Sequence, residues 1–107
     1  MKKVFISQPM RGKTDDEILS ERTKAIACVK EYVHEMYNDD IEIIDTFFKD
    51  FNGNRLQFLG KSISEGLALC DIAVFIGEWD EFDGCLCENF IAGIYGVDIL
   101  YSNVCDL

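Results

Sequence analysis

The chain alternates between short apolar runs and longer segments in which apolar residues recur every three or four positions. Lys3 to Ser7, built on Val4-Phe5-Ile6, reads as a first strand. Ser7-Gln8-Pro9-Met10-Arg11-Gly12-Lys13 reads as a loop, since it holds the only proline of the chain and a glycine. Thr14-Asp15-Asp16-Glu17 has the form of a capping box. Beyond it Ile18, Ala25, Val29, Val33 and Met36 trace one apolar stripe along a long helix, which Asn38-Asp39-Asp40 ends. Ile41 to Asp45 is a second strand, followed by a loop with Phe47, Phe48 and Phe51 that Asn52-Gly53-Asn54 closes. The spacing of Leu59, Ile63, Leu67 and Cys70 predicts a second helix from about Leu59 to Cys70. Ile72 to Ile76 has the length and β-branched content of a buried third strand. An acidic, aromatic loop, Glu78 to Gly84, then leads into a third helix from about Cys85 to Tyr95, with Glu88 in its first turn and Gly96 stopping it. Val97 to Tyr101 is a fourth strand, and Ser102 to Leu107 a tail.

Near-continuous apolar strands alternating with helices mean a parallel sheet covered on both faces. The expected fold is α/β, one domain over residues 1–107: a doubly wound three-layer (αβα) sandwich whose sheet has about four strands in the order 2-1-3-4. A chain of 107 residues has room for a single core. In that order the direction of winding reverses between strands one and three. The loops Ser7–Lys13 and Gly77–Gly84 therefore flank a crevice, where ligands of open α/β sheets bind.

The net charge of −10, with ten Lys and Arg against twenty Asp and Glu, argues against nucleic acid and against an anionic membrane surface as partners. No apolar run approaches the roughly 20 residues of a spanning helix. The start, Met1 to Ile6, is too short in its apolar part for a signal peptide, so the expected location is cytoplasmic. Five cysteines, an odd number without an export signal, read as free thiols, with Cys28 and Cys70 as small buried hydrophobes. Cys85 and Cys87 form a C-x-C pair beside Glu88, but the only histidine, His34, belongs to another helix. Neither a metal nor a cofactor is expected.

The chemistry on offer lies after strand three, where a buried strand hands a carboxylate to the head of a helix beside Trp79 and Phe82. An acidic residue in a first helical turn is favoured by the helix dipole whatever the protein does, so Glu88 is either a structural or a chemical residue. Asp83 beside Gly84 fits a cap or a turn equally well. Most of the eight phenylalanines must fill the core. Arg11 has surface partners available in Asp15 and Asp16, and those acids occupy a helix end that a phosphate would otherwise use.

Two segments carry a resemblance. Phe5-Ile6-Ser7-Gln8-Pro9-Met10-Arg11-Gly12, together with Asp83-Gly84-Cys85-Leu86-Cys87-Glu88 and the following Ala92-Gly93-Ile94-Tyr95-Gly96-Val97-Asp98-Ile99-Leu100, resembles the nucleoside 2-deoxyribosyltransferase-like superfamily, over the whole length and closest to its phage and prophage branch. The resemblance implies N-glycosidic bond chemistry on 2′-deoxynucleosides or their 5′-monophosphates, by transfer or hydrolysis. Glu88 would be the nucleophile, and Asp83 would orient sugar hydroxyls or assist proton transfer. Ser7, Gln8, Pro9, Met10, Arg11, Gly12, Trp79 and Gly84 would hold the substrate, with Arg11 and the Gly12 backbone at any 5′-phosphate. The phenylalanines Phe47, Phe48 and Phe82 are further candidates for stacking on the base. The family's strand-one tyrosine hydroxyl falls at Phe5, its usual glycine before the proline at Gln8, and its aspartate on the helix before strand three near Ile63, within Lys61-Ser62-Ile63-Ser64-Glu65. These departures leave a second reading open, a non-catalytic nucleoside- or nucleotide-binding protein. The sheet order is also that of flavodoxin-like and response-regulator-like domains, but the Ser/Thr/Gly phosphate loop and the clustered acids expected there are missing. The resemblance further implies a homo-oligomer whose members complete each other's sites, with Phe90, Ile91 and Ile94 as a contact face and Ser102 or Asn103 reaching a neighbour.

Overall fold

A computed structural model describes residues 1–48 and 50–101. The elements run β1 (Lys2–Ser7), α1 (Asp15–Tyr37), β2 (Ile41–Ile43), α2 (Arg55–Glu65), β3 (Ile72–Phe75), α3 (Asp83–Ile94) and β4 (Asp98–Tyr101). Short 3₁₀ turns at Leu67–Leu69 and Trp79–Glu81 precede β3 and α3. The four strands form one parallel sheet in the order β2-β1-β3-β4. Val4 faces Ile72 across the central pair, and Ser7 faces Phe75.

Alternation along the strands divides the core in two. Val4 and Ile6 of β1, with Ile72, Val74 and Ile76, pack on Ala25, Val29 and Val33 of α1. Phe5, Ala73 and Phe75 point the other way, onto Leu67 and onto Ala92 of α3. Ser7 shares the face of Phe5, so the last residue of β1 aims a hydroxyl at the layer that holds α3.

The capping box of α1 is present: Thr14 Oγ1 accepts from the Glu17 N–H at 3.2 Å and Glu17 Oε1 accepts from the Thr14 N–H at 3.2 Å. The buried stripe of α1 is Ile18, Arg22, Ala25, Val29 and Val33. Met36, expected on it, is exposed, and Arg22 holds the place between Ile18 and Ala25. β2 stops at Ile43, two residues short of the strand read from the sequence.

Helix α2 begins four residues before the expected Leu59. Asn54 and Gln57 form a second capping box, each side chain accepting from the other's backbone N–H at 2.8 Å. It also ends early, at Glu65, where Gly66 closes tightly on its surroundings. A Cβ there would lie 2.6 Å from Ser62 O and from Thr46 Cγ2, and 2.7 Å from Phe5 Cδ1. That close approach presses the last turn of α2, with Ser62, against β1. Gly96, at φ +71°, follows α3 in the left-handed conformation that ends helices. Cys28 and Cys70 are half-buried rather than fully buried; Cys70, Cys85 and Cys87 carry free thiols, whereas Cys28 is disulfide-bonded, against the expectation of free thiols throughout. The tail from Ser102, with Asn103 and Cys105, lies outside the described residues.

Candidate functional site

A cleft of about 360 Å³ opens where the loops after β1 and β3 diverge. Ser7 to Arg11 form one side and Phe82 to Cys85, with Cys87 and Glu88, the other. Thr46 and the inner face of α2, from Arg55 to Ser62, close the end. Pro9, Met10, Leu56, Phe58, Leu59 and Phe82 give it largely apolar walls, suited to a flat ligand.

Glu88 is the one acid buried in the described residues, at 6% exposure. It sits in the second turn of α3, not the first, because α3 begins at Asp83 rather than Cys85. The helix-dipole explanation for an acid at this position therefore loses its force, since that effect fades beyond the first turn. The carboxylate is held by side chains from two other elements. Ser7 Oγ donates to Oε1 at 2.7 Å and Ser62 Oγ donates to Oε2 at 2.6 Å. Burial pushes the Glu88 carboxyl above its ordinary range, and the hydroxyls of Ser62 and Ser7 oppose the shift. Both oxygens are satisfied without a cation. The ionised form of this group would place negative charge at the cleft, where a developing positive centre could use it.

Cys85 lines the same wall. Burial pushes its thiol up to about 11; a hydrogen bond with Ser7 opposes this and the Glu88 charge adds to it. Asp83 lies at the mouth, where Oδ2 meets Arg55 Nη2 at 3.2 Å with both side chains about three-quarters exposed. It is the first residue of α3, not its cap. Arg11 makes no ion pair with Asp15 or Asp16; its guanidinium lies 5.7 Å from the centre of the Phe82 ring.

Of the residues singled out from the sequence, Ser7, Gln8, Pro9, Met10, Arg11, Asp83, Gly84 and Glu88 all line this one cleft. Gly12 and Trp79 do not. Gly12 is exposed and turns the chain at φ +83°. Trp79 lies in the 3₁₀ turn, which folds its ring back onto the sheet. Half-buried, it stacks on Tyr101 at 5.4 Å and packs on Phe75 at 5.4 Å, against the edge of the core. Phe48 and Phe51 pack edge-on against Phe58, so Phe58 is the ring of that group that reaches the cleft.

Sequence reasoning missed Ser62, Thr46, Arg55 and Phe58 as site residues, and Arg22 behind them. The Asn54-x-x-Gln57 signature was legible and would have started α2 early enough to include Arg55 and Phe58. The interval from Ile18 to Ala25 left a gap in the stripe of α1, and Arg22 fills it. The resemblance points to the segment Lys61 to Glu65, whose serines stand near the family's aspartate, without singling out Ser62; nothing in the local pattern points to Thr46, which is defined by tertiary contact.

The chain matches no protein-family model, no curated protein and no solved structure. Among the described residues no helix is long and apolar enough to cross a membrane, and no cluster of His, Cys, Asp and Glu is arranged to hold a metal ion.

Proposed function

We propose that this protein acts on the N-glycosidic bond of 2′-deoxynucleosides or their 5′-monophosphates, with Glu88 as the nucleophile. The observation that carries the reading is the Glu88 carboxylate, buried at the cleft with a serine hydroxyl on each oxygen. One Glu88 oxygen attacks C1′ of the deoxyribose as the C1′–N bond breaks. The bonding pair leaves with the base, which takes a proton from solvent or from an acid at the mouth such as Asp83. Water, or a ring nitrogen of a second base, then attacks C1′ of the glycosyl ester and returns the carboxylate; the proton lost by that nucleophile goes to solvent. A carboxylate beneath C1′ stabilises the oxocarbenium character of both transition states.

The hydroxyl that the resemblance leads one to expect from Phe5 is supplied by Ser7, two residues along the same face of β1. Ser62 provides a second support from the helix that bears an aspartate in the family. This substitution of parts favours catalysis over ligand binding alone. Burying a carboxylate costs on the order of several kcal/mol, a cost that a chemical role for the group would account for. The apolar walls suit the base, and Arg11 at the rim suits a 5′-phosphate. The proposed setting is the cytoplasm, and the proposed assembly a homo-oligomer. Exposed Leu86, Phe90 and Ile94 on α3 offer the contact face, while Ile91 is half-buried against the core.

The test is release of free base from deoxynucleosides and their 5′-monophosphates, followed by chromatography. Release by the native protein, lost in Glu88→Ala, supports the reading. Tight calorimetric binding of these compounds without turnover would replace it with the binding-only alternative.

A further inference from the structure

Arg22 is 6% exposed, in the middle of the apolar stripe of α1. Among the described residues it makes no ion pair. Nε donates to Gln8 Oε1 at 3.1 Å, Nη2 donates to Thr46 Oγ1 over a long 3.4 Å, and Nη1 is buried with no hydrogen-bond partner. The nearest compensating charge is the exposed Asp45, which acts through space. A buried guanidinium held by two neutral acceptors is poor design for stability alone. In a chain of net charge −10 it is also against the general trend.

Its two partners both line the cleft. The orientation of Gln8 follows from chemistry: Arg22 Nε only donates and the Ile18 carbonyl only accepts, so Oε1 must face Arg22 and Nε2 must face Ile18, as it does at 2.6 Å. Thr46 is likewise engaged as an acceptor, which leaves its hydroxyl proton without a protein acceptor among the described residues. The second amide proton of Gln8 is in the same position. With a cation directly behind them, Gln8 and Thr46 have these protons to offer an acceptor in the cleft they line, and have no free acceptor for a ligand N–H.

From this we infer that Arg22 is a positioning and specificity residue: acting through Gln8 and Thr46, it makes the inner wall of the cleft a hydrogen-bond donor surface that selects an electron-rich oxygen on the ligand. Resting on the proposed nucleoside or nucleotide substrate, this narrows it to two sources of one chemistry, a base carbonyl or an anionic phosphoryl oxygen. Arg22 touches neither reacting atoms nor Glu88.

The experiment is calorimetric binding in a Glu88→Gln background, so that ligand is not consumed. The probes are 2′-deoxyuridine against 2′-deoxycytidine, 2′-deoxyinosine against 2′-deoxyadenosine, and each against its 5′-monophosphate. The expected preference for the oxo base, or for the monophosphate, is about tenfold or more, the scale of a charge-assisted hydrogen bond. Discrimination within the base pairs identifies a base carbonyl, and discrimination between nucleoside and monophosphate identifies a phosphoryl oxygen. Arg22→Met erases the oxo-base preference and lowers the monophosphate preference to the part that Arg11 at the rim supplies, while the shared affinity remains. Should Arg22→Met fail to fold, Thr46→Val and Gln8→Glu serve: the first removes a proton from the wall, the second pairs the cation and presents an acceptor. Both reduce the preference. Binding without any such preference, or a preference untouched by the folded variants, overturns the inference and leaves the proposed substrate class standing. No binding of any probe overturns both.

Discussion

Ser62, in the last turn of α2, donates to Glu88 Oε2 at 2.6 Å, joining two helices across 26 residues of chain. With Ser7 on the other oxygen, it makes the candidate nucleophile a shared product of β1, α2 and α3. The cleft is therefore sensitive to changes in any of the three.

Removing either hydroxyl leaves a buried carboxylate oxygen unsatisfied. Ser62→Ala and Ser7→Ala are each expected to destabilise the ionised form of Glu88 by about 1.5–3 kcal/mol. Each raises the Glu88 pKa further and moves the acid limb of the pH–rate profile to higher pH. A limb that stays in place in both variants would separate these serines from the carboxylate. Stability alone cannot distinguish them, so the profile is the measurement to make.

The raised pKa of Glu88 also links stability to pH. Below the ordinary value of 4.5 the carboxyl is protonated in folded and unfolded chains alike. From there up through the raised folded value, the folded state keeps a proton that the unfolded chain has released. Stability contributed by this group is thus full at low pH and falls as pH rises across that window. Glu88→Gln keeps the shape without the charge. It is expected to gain about 0.5–2 kcal/mol at neutral pH while losing activity, a common trade at active sites. Melting temperatures of the two proteins against pH should converge at the acid end of the window and diverge above it.

Gly66→Ala tests the contact that sets Ser62 in place. The added methyl would press on the Ser62 carbonyl, a backbone atom that cannot swing aside, and on Phe5 and Thr46. Overpacking of this kind costs about 1–3 kcal/mol. Denaturant unfolding should show that loss, and the surviving folded fraction should have a lower kcat.

Trp79 and the Arg55–Asp83 pair give contrasting expectations. Trp79→Leu removes a ring stacked against the edge of the core and is expected to cost about 2–3 kcal/mol with little change in ligand affinity. The Arg55–Asp83 pair is exposed, so Arg55→Ala should alter stability by at most about 1 kcal/mol. Asp83→Asn, if Asp83 serves the departing base or the sugar, lowers kcat without lowering the melting temperature. Steady-state kinetics beside thermal melts of the same samples distinguishes the two effects.

The sheet order and the crevice were legible because each follows from local pattern, whereas Glu88 lies one turn further into its helix than that pattern places it. Apolar runs such as Ile72 to Ile76 mark strands, and winding reversal follows from their order. The start of α2 was lost because Asn52-Gly53-Asn54 was read only as a turn, although Asn54 caps the helix. Thr46 is beyond reach, and Ser62 is narrowed only to the serines near the family's aspartate, for a different reason. A small hydroxyl residue carries no periodic signal, and its role appears only when Gly66 brings α2 against β1. Trp79 misled in the opposite sense: an aromatic ring in a loop looks available for stacking until the 3₁₀ turn returns it to Phe75 and Tyr101.

The most direct test of the nucleophile is to mix the protein with a 2′-deoxynucleoside or its 5′-monophosphate, quench in acid, and map any covalent adduct by mass spectrometry. A deoxyribosyl or phosphodeoxyribosyl ester on the peptide containing Glu88, absent from Glu88→Gln along with base release, is the predicted result. Base release that continues undiminished in Glu88→Gln, or an adduct on another residue, would contradict the account.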